Sequence, residues 1–72
     1  MAWSTGVISS NVREIGWTDE DGTPAMTVTW NSGRVSAYIG VDEETAVAVS
    51  KAPSVGQMIN VEVKPYFAHR YA

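Results

Sequence analysis

The side chains best suited to chemistry crowd into the last stretch of the chain. Lys64-Pro65-Tyr66-Phe67-Ala68-His69-Arg70-Tyr71 interleaves cations with aromatic rings. Such a mix can stack on a planar ring while holding a phosphate by charge, with Arg70 as a two-pronged donor. Upstream, Ser54-Val55-Gly56-Gln57 fits the S-x-x-Q capping box that opens a helix, and its turn offers backbone amides to an anion. The expected ligand site is therefore Lys64, Tyr66, His69 and Arg70, assisted by Ser54 and Gly56. Trp3, Phe67 and Tyr71 are the expected anchors for a neighbouring subunit. The plainer alternative is a C-terminal arm that packs on its own domain with its charged tips in water.

Other chemistry finds little to work with. There is no cysteine, and the single histidine, His69, stands near the end of the chain, so a zinc site would need ligands from another copy. Ser9, Ser10 and Ser54 read as turn and cap residues rather than nucleophiles, and no motif asks for a triad with His69. Asp19-Glu20-Asp21-Gly22 faintly resembles a calcium loop, but it lacks the glutamate at the twelfth position and its glycine comes two places early. We therefore expect binding rather than catalysis, with no metal or cofactor.

Charge singles out the same segment. The formal net charge is −3, which argues against general nucleic-acid binding. Residues 1–50 carry Arg13 and Arg34 against Glu14, Asp19, Glu20, Asp21, Asp42, Glu43 and Glu44. Residues 51–72 reverse this, with Lys51, Lys64 and Arg70 against Glu62 alone. An anionic partner belongs at the C-terminal third.

The elements that must position these groups follow from hydrophobic period. Val12 to Trp17 is a short, imperfect strand, with Ile15 and Trp17 on the side of Arg13 and Glu14 opposite. The polar run Thr18–Pro24 is a loop. Met26, Val28 and Trp30 alternate with Thr27 and Thr29, the clearest strand signal in the chain. Asn31-Ser32-Gly33 supplies a tight turn with positive φ. In the next strand Val35, Ala37 and Ile39 share one face, Ser36 and Tyr38 the other. Asp42 is a natural N-cap, followed by Glu43 and Glu44 at the positive end of a helix that buries Ala46, Val49 and Ala52. Pro53 stops it. A second short helix starts at Ser54 with Met58 and Ile59 as its apolar contacts. Val61 and Val63 alternate with Glu62 and Lys64, which favours a strand or extended arm over a longer helix. Trp17 and Trp30 read as core, whereas Trp3 lies in an arm outside any periodic element.

Seventy-two residues form a single domain over 1–72. A core of this size contributes about 3–5 kcal/mol net, so self-association or docking on a larger partner is the expected reinforcement. Nothing approaches a membrane span or a signal peptide, and with no cysteine the cytoplasm is the expected compartment. The fold class is α+β: a small antiparallel meander, then one or two short helices and a C-terminal strand or arm.

The order of short motifs carries a resemblance. Ser9-Ser10-Asn11-Val12, Ile15-Gly16-Trp17, a strand ending in Asn31-Ser32-Gly33, Tyr38 before Gly40-Val41, then Ala52-Pro53-Ser54-Val55-Gly56 with Asn60, Lys64 and Tyr66 resemble the KTSC domain over roughly residues 7–66. That family takes its name from the C-terminus of some lysyl-tRNA synthetases and also occurs as stand-alone proteins of bacteria and phages. The chain departs from its pattern in four places. Asp42 stands where a proline is usual, Met58-Ile59 replaces an aromatic pair, the Thr18–Pro24 loop is long, and Lys64-Pro65-Tyr66 is short. The resemblance implies a β-meander followed by helix and brings no activity with it. The expected function is a homo-oligomeric, phage-type binding module for an anionic or aromatic small ligand such as a nucleotide signal. The alternatives are a protein–protein adaptor and an RNA- or DNA-binding accessory.

Overall fold

The computed structural model describes all of residues 1–72. Five strands lie in one antiparallel sheet in sequence order: β1 (Ala2–Gly6), β2 (Val12–Thr18), β3 (Ala25–Trp30), β4 (Val35–Ile39) and β5 (Ala68–Tyr71). Between β4 and β5 come α1 (Glu43–Ser50), α2 (Val55–Met58) and a π-helical turn (Ile59–Val63). The α+β class, the meander, the two short helices and a terminal strand are all present.

The register decides which face of each strand is buried. Met26 pairs with Tyr38 and Val28 with Ser36, so these four share a face with Ile15 and Trp17. The helices cover that face: Val41, Ala46, Val49, Val55, Ile59 and Val63 complete the buried cluster. Tyr38 and Ser36 thus point into the core side of β4, while Val35 and Ile39 stay half-exposed on the other. The uncovered face relies on small residues instead. A Cβ at Gly16 would press into Thr27 Oγ1 and lie 3.2 Å from the Trp3 carbonyl oxygen, so this sheet position takes only glycine without adjustment.

Four local expectations change. Trp3 is not in an arm: it belongs to β1, pairs with Trp17, packs against the core and donates its indole N–H to Glu43 Oε2 at 2.8 Å. A strand of two apolar and three small residues has no alternation to reveal it, and pairing with β2 supplies the order. In β2 a bulge between Val12 and Glu14 lets Val12 and Ile15 both be buried despite their odd spacing. It leaves Arg13 exposed, donating to the Asn31 carbonyl at 3.1 Å. Residues 61–63 are helical, not extended. Ile59 and Val63, four apart, are the buried pair, and the Lys64 N–H reaches back five residues to the Ile59 carbonyl at 2.8 Å. Finally, Ser54 occupies the N-cap position of α2, but its hydroxyl makes no capping hydrogen bond, so the capping box does not form. Asp42 does cap α1, accepting from the Thr45 amide at 3.0 Å.

Candidate ligand-binding cleft

The cleft is built by a hairpin, a helical turn and the last strand. Gly33, at φ 95°, closes the turn after β3, with its N–H donating to the Trp30 carbonyl and the Trp30 N–H to the Arg34 carbonyl. That tight turn sets Trp30 and Arg34 at one end of the sheet. The π-helical turn ends at Val63 and places Lys64 above Trp30, with Nζ 5.6 Å from the ring centre. Pro65 and the turn behind it return the chain to the edge of β4. There Tyr38 pairs with His69 and Ser36 with Tyr71.

These pieces enclose an open cleft of about 440 Å³ lined by Trp30, Arg34, Tyr38, Lys64, His69 and Tyr71, with Ser32 and Ser36. Ser36, 1% exposed, accepts the Trp30 indole N–H at 2.8 Å and so fixes the angle of that ring. The Tyr38 and His69 ring centres are 5.0 Å apart, and His69 meets Tyr71 edge-on at 4.8 Å, both within the range of favourable aromatic contact. The Arg34 guanidinium lies 4.8 Å above the Tyr71 ring. Burial pushes the Tyr38 phenol above its ordinary range, helped by the nearby Tyr71, so it remains a neutral donor.

Electrostatics set the cleft apart from the rest of an acidic chain. No Asp or Glu lines it. The one ion pair in the molecule joins the Met1 ammonium to Asp19 at 2.6 Å, so Arg34 and Lys64 have no carboxylate partner. An adjoining groove of about 370 Å³ shares Trp30, Ser32 and Lys64 and adds Asn31, Gly56 and Asn60. Together the two form a trough with two free cations, four aromatic rings (Trp30, Tyr38, His69 and Tyr71) and a rim of hydroxyls and amides.

Not all the expected residues meet here. Lys64 and His69 line the cleft, Gly56 lines the adjoining groove, and Tyr71, expected as an interface anchor, is a cleft wall. Arg70 is elsewhere because side chains alternate along a strand: His69 and Tyr71 face the cleft, and Arg70, paired with Ala37, faces the other side of the sheet. Tyr66 and Phe67 lie against α1 and Met58, and Ser54 lies beside Pro53 and Val61, both outside the cleft. Sequence reasoning missed Trp30, Arg34, Ser36 and Tyr38 as cleft residues. The signal for Arg34 was its place just beyond the glycine turn that also ends at Trp30. The signal for Tyr38 was an aromatic on the polar-looking face of its strand.

Comparison with known proteins fits this architecture. The sequence matches the KTSC domain family over residues 8–67. The chain belongs to the KTSC family. Among solved structures, that of a KTSC domain protein from Yersinia pestis is similar, with a TM-score of 0.85 and 21% identity over 100% of this chain and 99% of that one. At that identity the likeness speaks for the KTSC fold alone. No curated protein matches. No helix of this KTSC domain is long and apolar enough to cross a membrane.

Proposed function

We propose that this KTSC domain is a non-catalytic binding module whose cleft captures a small anion bearing a planar ring, such as a nucleotide. The observation that carries the reading is the pairing of two unpartnered cations, Arg34 and Lys64, with the aromatic faces of Tyr71 and Trp30 in a cleft free of carboxylates. Each cation already rests on a ring, so a phosphate can draw it away while a base takes its place on the aromatic face. The volume, about 440 Å³, lies within the range of ordinary small-molecule sites. Two cations within a chain of net charge −3 suit one or two phosphates better than a nucleic-acid backbone. We take the working compartment to be the cytoplasm. The exposed edge of β5, next to the cleft, is the surface on which a second copy would pair.

The test is calorimetric titration of the full chain with nucleoside mono- and diphosphates and with inorganic phosphate alone. Lys64→Ala and Arg34→Ala should each weaken nucleotide binding by roughly tenfold, the value of one charge-assisted hydrogen bond. Arg70→Ala should leave it unchanged. Failure of every nucleotide to bind, or equal binding to the Lys64→Ala and Arg34→Ala proteins, removes this reading.

A further inference from the structure

A second surface, sharing no residue with the cleft, lies on the outside of the helical layer. The π-helical turn sends Ile59 and Val63 inward, and this leaves Val61, between them, 54% exposed. Tyr66, just beyond the turn, is 73% exposed. Around them two grooves of about 360 and 370 Å³ adjoin each other. One is formed by Pro53, Met58 and Val61, the other by Ala48, Met58 and Phe67 beside Tyr66. Met58 and Phe67 are half-buried and packed on the core, so the shared floor is held in place from below.

The charges at this surface have one sign. Glu62 lines both grooves and Glu44 the second, and no Lys or Arg lines either. Neither carboxylate has a salt-bridge partner. This disfavours two occupants. A second copy docked on this face about a two-fold axis would bring another Glu44 and Glu62 into the same contact, and an anionic lipid surface would meet the same repulsion.

We infer that this face docks a cationic, amphipathic segment of another protein, which seats one apolar side chain on each side of Met58 and sets Lys or Arg against Glu44 and Glu62. Apolar floor, separate anchor grooves and acidic rim are the features by which a groove recognises a basic amphipathic helix. The inference stands apart from the cleft, and either can fail without the other.

The probe is a synthetic helical peptide with leucines at the i, i+3, i+4, i+7 spacing and lysines elsewhere, beside a control in which glutamate replaces each lysine. It is titrated into the isotope-labelled full chain and followed by NMR. Saturable shifts are expected at Met58, Val61, Tyr66 and Phe67, with His69 and Tyr71 unmoved and no response to the acidic control. Glu62→Lys should weaken the basic peptide by about fivefold or more, the value of turning one attractive surface pair into a repulsive one. Glu62 is exposed, so this variant keeps its fold, and its unchanged amide spectrum verifies that. The proposal is overturned if the basic peptide gives no saturable shifts, if the two peptides bind alike, if Glu62→Lys binds undiminished, or if the shifts map to the cleft. It is equally overturned if the same residues shift with protein concentration alone, since the occupant is then a second copy.

Discussion

The indole of Trp30 faces two ways: its N–H is held by Ser36 Oγ, and its ring carries Lys64. Ser36→Ala should therefore loosen the ring and lower nucleotide affinity severalfold. Trp30→Phe, which no longer needs the hydroxyl, should make the two changes non-additive in a double-mutant cycle read by calorimetry. Trp17 shows the structural counterpart. Its indole N–H donates to the Val41 carbonyl at 2.9 Å inside the core, tying β2 to the entry of α1. Trp17→Phe strands that carbonyl and should cost about 1–3 kcal/mol in urea unfolding. On the uncovered face, Gly16→Ala should cost about 1–3 kcal/mol from crowding against Thr27, part of which Thr27→Ala restores.

At the scale of elements, α1 depends on its first residue. Hydrogen bonds from Thr45 hold the Asp42 carboxyl below its ordinary 3.8. A lowered folded-state pKa means a stabilising contribution that is complete well above 3.8 and is lost as the pH falls through the folded value. Asp42→Asn keeps the cap without the titration, so its melting temperature should fall less steeply on acidification below pH 4 than that of the parent. Asp42→Ala should be less stable at neutral pH as well. This cap, β3 and β4 were all legible in the sequence, because period two and capping chemistry act over a few residues. β1 was not, because Ala-Trp-Ser-Thr-Gly has no alternation of its own and takes its conformation from β2. The Val61–Val63 alternation misled for a related reason: two apolar residues two apart also fit a helical turn whose real buried pair is Ile59 and Val63.

The whole molecule explains how much of the cleft could be read in advance. Lys64, His69 and Tyr71 come from one contiguous segment whose cation–ring pattern shows in the primary structure. Trp30, Arg34, Ser36 and Tyr38 join them only because β4 lies between β3 and β5 in the sheet. Arg34, counted among the acidic two-thirds of the chain, thereby becomes neighbour to the basic tail. In so small a domain a bound ligand has a large effect on stability. Saturation at about 100 times Kd adds about 2.7 kcal/mol. At about 4–8 °C per kcal/mol for a domain of this length, a melting scan with a cognate nucleotide should show a rise on the order of 10 °C or more.

The unbroken strand order has a consequence for synthesis. β2, β3 and β4 each zip onto the strand made just before them, so a chain leaving the ribosome can assemble that part hairpin by hairpin with little loop-closure cost. β5 alone must wait until both helices have been made and folded back. One wall of the cleft is therefore the last thing to form, and the nascent protein acquires its shape before it acquires its grip.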